Sequence, residues 1–226
     1  QELLASLEST GVSVHFEESS EGRKKQPDAV SIVALASNLV NSSMEGRRRV
    51  AITLGSNRGR IDSIRAIQNT STGSTGWSIA EHLFRMGHEV ICIAGEVSTA
   101  PSFPLPRVIK DSDPNGMLEI CTALSKSDAP PEVWIHAAAV LDYIPDFEEG
   151  KRRSESGDWA VKLSPGKKHI EELSEYTTGT FRIAFKLAVG GSQEDLIESS
   201  MKLIESCLLY TSPSPRDLST SRMPSS

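Results

Sequence analysis

Short apolar runs and segments with helical spacing alternate along the middle of this chain. Four apolar runs predict buried strands, at residues 50–54, 90–94, 133–140 and 181–185. Apolar residues three or four positions apart predict helices at 77–86, 116–125, 169–176 and 193–207. Strands that alternate with helices of this length favour a parallel sheet with right-handed crossovers. The pattern therefore predicts an α/β protein with a three-layer, Rossmann-like fold, a mostly parallel sheet and helices on both faces.

The two ends of the chain depart from this pattern. Residues 12–16 alternate like a short strand, 17–26 form a polar turn region and 29–39 have the spacing of an amphipathic helix. Residues 1–46 are therefore predicted to be the end of a preceding domain plus a linker helix. Residues 208–226 are rich in Ser and Pro without periodicity, which predicts a disordered tail, and the string also resembles translated sequencing-adapter read-through. We expect residues 47–207 to form one main domain that is incomplete at its C-terminal end.

Composition and charge narrow the classes of protein to consider. The 226 residues carry a formal net charge of −6, and their basic residues are scattered, which argues against a nucleic-acid partner. No segment approaches the roughly twenty apolar residues that span a bilayer, and the first residues do not open a signal peptide. The three cysteines are odd in number and widely spaced, which predicts reduced thiols and a cytoplasmic location. Cys92 is interpreted as a small core residue.

The segment that follows the first strand has the features of an anion-binding loop. The strand at residues 50–54 ends in Gly55, and a Ser/Thr/Gly loop at residues 69–76 leads into the first helix of the main domain. A side chain at Gly73 or Gly76 is expected to hold an anion away from the backbone N–H groups of the turn and of the helix N-terminus.

Three further groups of residues could bind a ligand or take part in catalysis, and each can also be explained by an ordinary structural role. Three alanines at residues 137–139 allow a flat ligand to approach closely, and Asp142 can accept hydrogen bonds from it; they can equally be packing alanines. Lys151 opens a Lys-Arg-Arg run that can place an ammonium over a phosphate, or form a solvated loop. Phe185 can stack on a base while Lys186 reaches a phosphate, although a tripeptide alone is a weak signal.

In this order and spacing, these segments resemble the phosphopantothenate–cysteine ligase family, the second half of the bifunctional coenzyme A biosynthesis flavoprotein. The opening pattern of the family combines Thr-x-Gly-x-x-Arg, Ile/Leu-Asp-x-x-Arg-x-Ile-x-Asn and Ser-Ser/Thr-Gly-x-x-Gly. The matching residues are Thr53, Gly55, Arg58, Ile61, Asp62, Arg65, Ile67, Asn69, Ser71, Thr72, Gly73 and Gly76. Further on, residues 137–143 fit its Ala-Ala-Val-x-Asp-Tyr/Phe, Lys151 fits the lysine of Lys-Ile-x-Ser, and residues 185–187 fit Phe-Lys-Leu. The resemblance covers about residues 47–207.

The chain departs from the family pattern at several positions. Ala188 stands where the Phe-Lys-Leu motif continues with Glu, Arg152 replaces an apolar residue, and Glu96-Val97-Ser98 fits a Gly-Pro-Val-Ser turn only loosely. The final strand of the family and its Asp-x-x-x-x-Asn segment are absent, so we expect little ligase activity from these 226 residues. Residues 22–28 and the helix after them resemble the end of the flavin-dependent decarboxylase domain of fused members. FMN is expected only where that upstream domain is present.

The resemblance implies a reaction and a role for each matched residue. The carboxylate of 4′-phosphopantothenate attacks the α-phosphate of CTP or ATP, and the amine of cysteine then displaces the nucleotide. The resemblance also implies Mg²⁺, which offsets the charge of the triphosphate. No residue of the chain is assigned as a ligand of a metal. A homodimer is expected. The implied catalytic residues are Lys151, for charge on the α-phosphate, and Asn69, for the cysteine step. Substrate binding is implied for Gly55, Arg58, Ser71, Thr72 and Gly73, and nucleotide binding for Ala137, Ala138, Asp142, Phe185 and Lys186.

Two other functions remain open at this point. An NAD(P)-dependent oxidoreductase of Rossmann fold explains the glycine loop and Glu96, which lies about 20 residues after Gly76 where a ribose-binding acid is expected. It does not explain residues 58–68, which separate the strand from the loop, because in that fold the loop follows the strand at once. A non-catalytic nucleotide-binding module explains the loop but has no use for Lys151 and Asn69.

Overall fold

A five-stranded parallel sheet forms the centre of the molecule. The computed structural model describes residues 6–7, 9–12, 14–18, 24–153, 157–185 and 193–207. The strand order in the central sheet is β11-β8-β3-β6-β7, and all four neighbouring pairs are parallel. These strands are β3 (Arg49–Leu54), β6 (Glu89–Ala94), β7 (Val108–Lys110), β8 (Val133–His136) and β11 (Phe181–Ala184).

Helices cover both faces of this sheet. They are α1 (Ala29–Asn41), α2 (Ser74–Arg85), α3 (Pro114–Ser125), the short α4 (His169–Glu172) and α5 (Gln193–Cys207). Successive residues of β3 point to opposite faces, so Ile52 packs with α1 and α2 in one core cluster and Ala51 packs with α3 in the other. The predicted three-layer α/β fold with a mostly parallel sheet is confirmed.

The helix boundaries differ from the sequence pattern where capping decides them. The predicted start at residue 77 was wrong, because α2 begins at Ser74 directly after the left-handed Gly73. The predicted start of α3 at residue 116 was also too late, because the helix begins at Pro114. Asp113 caps it by accepting hydrogen bonds from the amides of Asn115 and Gly116, and proline is favoured in the first helical turn. The predicted helix at 169–176 is interrupted, α4 being followed by a separate 3₁₀ turn, Glu175–Thr177.

Several strands were placed wrongly or missed. A strand was predicted over residues 133–140, but β8 ends at His136. Its partner β3 ends at Leu54, because the next residue, Gly55, has φ of 79° and leaves the strand conformation. The described residues among 12–16 contain no strand. Short strands instead lie inside the region interpreted as a polar turn, where β1 (Glu17–Glu18) pairs with β2 (Lys24–Lys25). Two further antiparallel pairs were not predicted, namely β4 (Arg58–Arg60) with β5 (Ala66–Gln68) and β9 (Tyr143–Pro145) with β10 (Leu163–Pro165).

The predicted linker helix packs closely on the main domain. In α1, Ala34 is fully buried in the core cluster shared with α2. The side-chain amides of Asn38 and Asn41 donate to the carbonyl oxygens of Phe84 and Arg85 at 2.6 and 2.7 Å. These carbonyls belong to the last turn of α2, where the Phe84 oxygen also accepts from the amide of Gly87 at 2.9 Å. Helix α1 therefore stabilises the C-terminal end of α2.

The glycines of the predicted anion loop have a packing role that the sequence reading did not include. A Cβ on Gly76 would overlap the side chain of Leu54, and one on Gly73 would lie 2.6 Å from Cγ1 of Val97. Both positions therefore face apolar neighbours, so their small size allows α2 to lie close against β3. Gly73 also has φ of 83°, a conformation that favours glycine.

Replacing Gly76 with alanine is therefore expected to destabilise the fold, although alanine normally favours a helix. The new methyl group has no space beside Leu54, and overpacking of this kind costs about 1–3 kcal/mol of unfolding free energy. The urea midpoint measures the effect. Gly116→Ala in α3 is the matched control, because the three atoms nearest to its Cβ belong to the carboxylate group of the half-buried Asp111. That group can move at the cost of one hydrogen bond from the Asp113 amide, whereas Leu54 is fixed in the core. Equal midpoints for the two variants would contradict the packing argument.

Candidate functional site

The sheet order places a crevice between β3 and β8. After β3 the chain builds outward through β6 and β7, and it then returns to the other side of β3 to form β8 and β11. Ligands of open α/β sheets bind at such a switch point, outside the carboxyl ends of the strands. Gly55 and the alanines at residues 137–139 follow directly after these two strand ends.

Ser56 joins the ends of three neighbouring strands. It exchanges two backbone hydrogen bonds with Glu96, at 2.9 and 2.8 Å, and forms a parallel bridge with Ala139. Its hydroxyl accepts a hydrogen bond from the side chain of Gln68 at 3.1 Å. Ser56 is fully buried. The segments after β3, β6 and β8 are therefore held at fixed positions relative to one another.

Asn69 is attached to the alanine segment. Its side-chain Nδ2 donates to the carbonyl oxygens of Ala139 and Val140, at 3.0 and 3.1 Å. Carbonyl oxygens only accept, so this contact fixes the amide with its nitrogen toward the alanine segment. Its Oδ1 has no hydrogen-bond partner among the residues that the structure describes, and it is therefore available to accept one from a ligand.

The loop before α2 is held from the opposite side. The carbonyl oxygen of Thr72 accepts from the amides of Ser98 and Thr99, and the Thr72 hydroxyl oxygen accepts from the amide of Ser74 at 3.3 Å. Ser71 is half-buried beside it. Gly73 precedes α2 and supplies no side-chain cap, so the N-terminal turn of this 12-residue helix retains amides for an anion.

The alanine segment lies along the end of β3. Ala137 donates to the Thr53 carbonyl at 2.9 Å, and the amide of Ala138 lies 3.4 Å from the Thr53 hydroxyl. Both alanines are half-buried. Asp142 is exposed just beyond them, its carbonyl accepting from Gly166. The structure thus brings these residues and Asn69 together.

The aromatic end of the predicted nucleotide site is described only in part. Phe185 follows β11, the strand next to β8, and its side chain is 48% exposed. Its position leaves the ring accessible. Lys186, and Ala188 with it, lie outside the described residues.

Lys151 lies in a loop that packs on the β4–β5 hairpin. Beside it, Gly150 exchanges hydrogen bonds with Ser63, and the carbonyl of Arg152 accepts from Arg65 at 3.3 Å. The Lys151 side chain is exposed and has no hydrogen-bond or ion-pair partner within the described ranges. No contact between described residues joins it to Asn69.

A cleft of about 280 Å³ lies beside the β4–β5 hairpin. Its charged lining residues are Arg58, Arg60, Arg65, Asp62, Asp111 and Asp113. The backbone amide of Arg65, with the amide of Ile64 and the Arg65 guanidinium, lowers the pKa of Asp62 below its usual range. Asp62 is therefore ionised and fixes the Arg65 side chain.

Two polar residues at or after the strand ends were given no role from the sequence. Asn57 follows β3 and is fully buried, and its Oδ1 has no partner among the described residues. His136, the last residue of β8, is half-buried with its Nε2 atom buried, and desolvation of the ring, together with the charge of Arg182, lowers its pKa to about 3, so it is neutral. A polar residue that ends an apolar run was the signal for His136, whereas Asn57 lies beyond Gly55 and Ser56 and had no such signal.

The two cysteines whose side chains are described are buried, and no cluster of metal-ligating side chains lies among the described residues. Cys92 and Cys121 are buried and free, and burial raises the pKa of each thiol to about 12, so Cys92 is confirmed as a core residue. The described ranges contain no group of three His, Cys, Asp or Glu side chains positioned to hold a metal ion. Within the same ranges, no helix combines the length and apolar character needed to cross a membrane.

Comparison with known proteins shows a common family. Residues 44–205 match the model of the DNA/pantothenate metabolism flavoprotein C-terminal domain. The coenzyme A biosynthesis bifunctional protein CoaBC of Thermococcus kodakarensis is 32% identical over 206 residues, which cover 91% of this chain and 50% of that protein. The chain thus spans about half the length of this relative.

Solved structures share the same fold. The DNA/pantothenate metabolism flavoprotein from Streptococcus pneumoniae superposes with a TM-score of 0.65 at 24% identity, over 72% of this chain and 79% of that one. The C-terminal domain of a CoaBC bifunctional protein gives a TM-score of 0.59 at 25% identity, over 74% and 76% of the two chains.

Proposed function

We propose that this chain, which belongs to the family of the DNA/pantothenate metabolism flavoprotein C-terminal domain, is a phosphopantothenate–cysteine ligase domain of coenzyme A biosynthesis. The relative from Thermococcus kodakarensis is named for coenzyme A biosynthesis, which supports the proposal. The observation that carries it is the contact of Asn69 with Ala139 and Val140, because it unites the anion loop with the alanine segment.

The reaction consists of two substitutions. A carboxylate oxygen of 4′-phosphopantothenate attacks the α-phosphorus of CTP or ATP, and the bond to the bridging oxygen breaks to release pyrophosphate. The amine of cysteine then attacks the acyl carbon of the mixed anhydride. The amide bond forms as nucleoside monophosphate leaves, and the amine loses a proton.

The positions of the described residues suit these steps. The N-terminus of α2 and the loop at Ser71, Thr72 and Gly73 favour an anionic group through backbone amides. The free Oδ1 of Asn69 suits an N–H donor such as the amine of cysteine. The unpaired ammonium of Lys151 suits charge that develops on the α-phosphate.

The alanine segment and its neighbours suit a nucleotide. Ala137 and Ala138 leave room for a flat group, and the exposed Asp142 can accept hydrogen bonds from its hydroxyl or amino groups. Asp142 is also a carboxylate of the kind that Mg²⁺ accepts, so these residues fit a triphosphate that enters with its Mg²⁺. Such an ion offsets triphosphate charge during the first substitution.

Pyrophosphate release tests the proposal against both alternatives. We expect release only when 4′-phosphopantothenate and CTP or ATP are present together. The assay is applied to the 226-residue chain and to a chimera in which the C-terminal segment of the Thermococcus relative replaces residues 208–226. Release that requires both substrates in either protein supports a ligase. Hydride transfer from NAD(P)H, or nucleotide binding without release in both proteins, would instead favour an oxidoreductase or a nucleotide-binding module.

A further inference from the structure

Glu96 is a carboxylate held at the carboxyl edge of the sheet. Its backbone exchanges two hydrogen bonds with the buried Ser56, so its Cα cannot withdraw without breaking the bridge between β3 and the segment after β6. Its side chain is 41% exposed. The carboxylate therefore lies beside the end of β3, on the β6 side of that strand, and is accessible to solvent.

The side chain that faces Glu96 is Arg58. Arg58 begins β4, and its amide donates to the carbonyl of Ser112 at 2.7 Å. Its Nη1 lies 3.8 Å from Oε1 of Glu96, with 46% of the arginine side chain exposed. Arg58 also lines the cleft beside the hairpin, so one guanidinium is shared between Glu96 and that cleft.

This pair is weak enough for a ligand to replace. An ion pair at this distance and with this exposure contributes little free energy, because water screens the two charges and fixing the two side chains costs entropy. A phosphate group offers the guanidinium two oxygens and a larger charge, and it forms shorter bonds. A phosphate group that binds here can therefore replace the Glu96 carboxylate as the partner of the Arg58 guanidinium.

We infer that Glu96 limits the affinity of the site for a phosphate-bearing ligand by competing with it for Arg58. The identity of that ligand, 4′-phosphopantothenate or the nucleoside triphosphate, rests on the proposed function. The competition itself rests on the Arg58–Glu96 geometry.

Isothermal titration of Glu96→Gln with 4′-phosphopantothenate and, separately, with ATP tests the inference. The substitution keeps the side-chain size and the backbone amide. We expect one of the two ligands to bind about two- to fivefold more tightly, the range that an exposed ion pair allows. High salt should remove the difference, because it screens exposed charges.

Two further variants separate competition from a general effect of charge. Glu132→Gln changes the net charge equally at the opposite edge of the sheet, where Glu132 pairs with Arg48, and it should leave both affinities unchanged. In an Arg58→Gln background, Glu96→Gln should have no further effect. That double-mutant result would not follow from a structural role of Glu96 alone.

The outcomes distinguish this inference from the proposed function. Unchanged or weaker binding of both ligands by Glu96→Gln overturns the inference and leaves the ligase proposal to the pyrophosphate assay. Tighter binding that persists with Arg58 replaced also overturns it. Tighter binding through Arg58 with no pyrophosphate release in the chimera upholds the competition and overturns the ligase proposal. Absence of binding of either ligand by every variant overturns both.

Discussion

Replacing Lys151 with glutamine is expected to lower kcat by about 10²–10³, because removing one preorganised donor from a developing oxyanion costs about 2.7–4 kcal/mol. The ammonium of Lys151, which has no partner among the described residues, is the group that would contact the reacting phosphate. Arg152 cannot substitute for it readily, since its guanidinium donates to the carbonyl of Asp158 and lies over the ring of Trp159. Single-turnover pyrophosphate release by the chimera measures the effect, because the 226-residue chain itself is expected to have little ligase activity.

The neighbouring exposed cation provides the control for this prediction. Arg153→Gln removes the same charge two positions away and should change kcat less than threefold, in keeping with the small effects of exposed charges. If Lys151→Gln turns over at the wild-type rate, the segment is a solvated loop and the catalytic role is wrong. Equal losses in both variants would point to the total charge of the loop.

In the chimera with an intact C-terminal segment, replacing Asn69 with aspartate is expected to abolish the capture of cysteine while formation of the acyl-nucleotide remains detectable. The carboxylate cannot donate to the Ala139 and Val140 carbonyls, and it would face two carbonyl oxygens at about 3 Å. The loss of this oriented amide should reduce amide formation by about 100-fold or more. Pyrophosphate and phosphopantothenoylcysteine, quantified separately, report the two steps.

Gln68→Glu is the matched control, since it makes the same amide-to-acid change at the adjacent residue. Gln68 contacts the Ser56 hydroxyl, which can donate to the new carboxylate instead of accepting from the amide. We expect both half-reactions to survive in this variant. If Asn69→Asp reduces both half-reactions equally, Asn69 serves the whole site and not the cysteine step.

The sequence predicted the fold where burial dominates. Strands β3 and β6 are apolar over most of their length because both faces of a central parallel strand are covered. The β4–β5 hairpin was missed because most of its residues are polar and it lies outside the central sheet, so no apolar run predicts its strands. The interval between Gly55 and Asn69 thus contains structure that the apolar pattern alone does not reveal.

The candidate site was predictable from the sequence where its residues are contiguous in the chain. It was less predictable where residues from different strands come together. The loop from Asn69 to Gly73 and the alanine segment were both found as motifs. Their contact depends on the register of β3 with β8, in which Thr53 lies opposite His136. The contacts of Ser56 depend on the register of β3 with both β8 and β6. The Arg58–Glu96 pair depends on the register of β3 with β6 and on the hairpin, which no local pattern encodes.

The packing of α1 has a practical consequence for where this protein can be shortened. A fragment that starts at residue 44, where the family match begins, lacks the whole of α1. It would expose the core surface that Ala34 covers and remove the side-chain donors of Asn38 and Asn41 from the carbonyls of Phe84 and Arg85. Because the other end of α2 forms the anion loop, a fragment for crystallisation or ligand screening should keep α1 from its cap at Asp28.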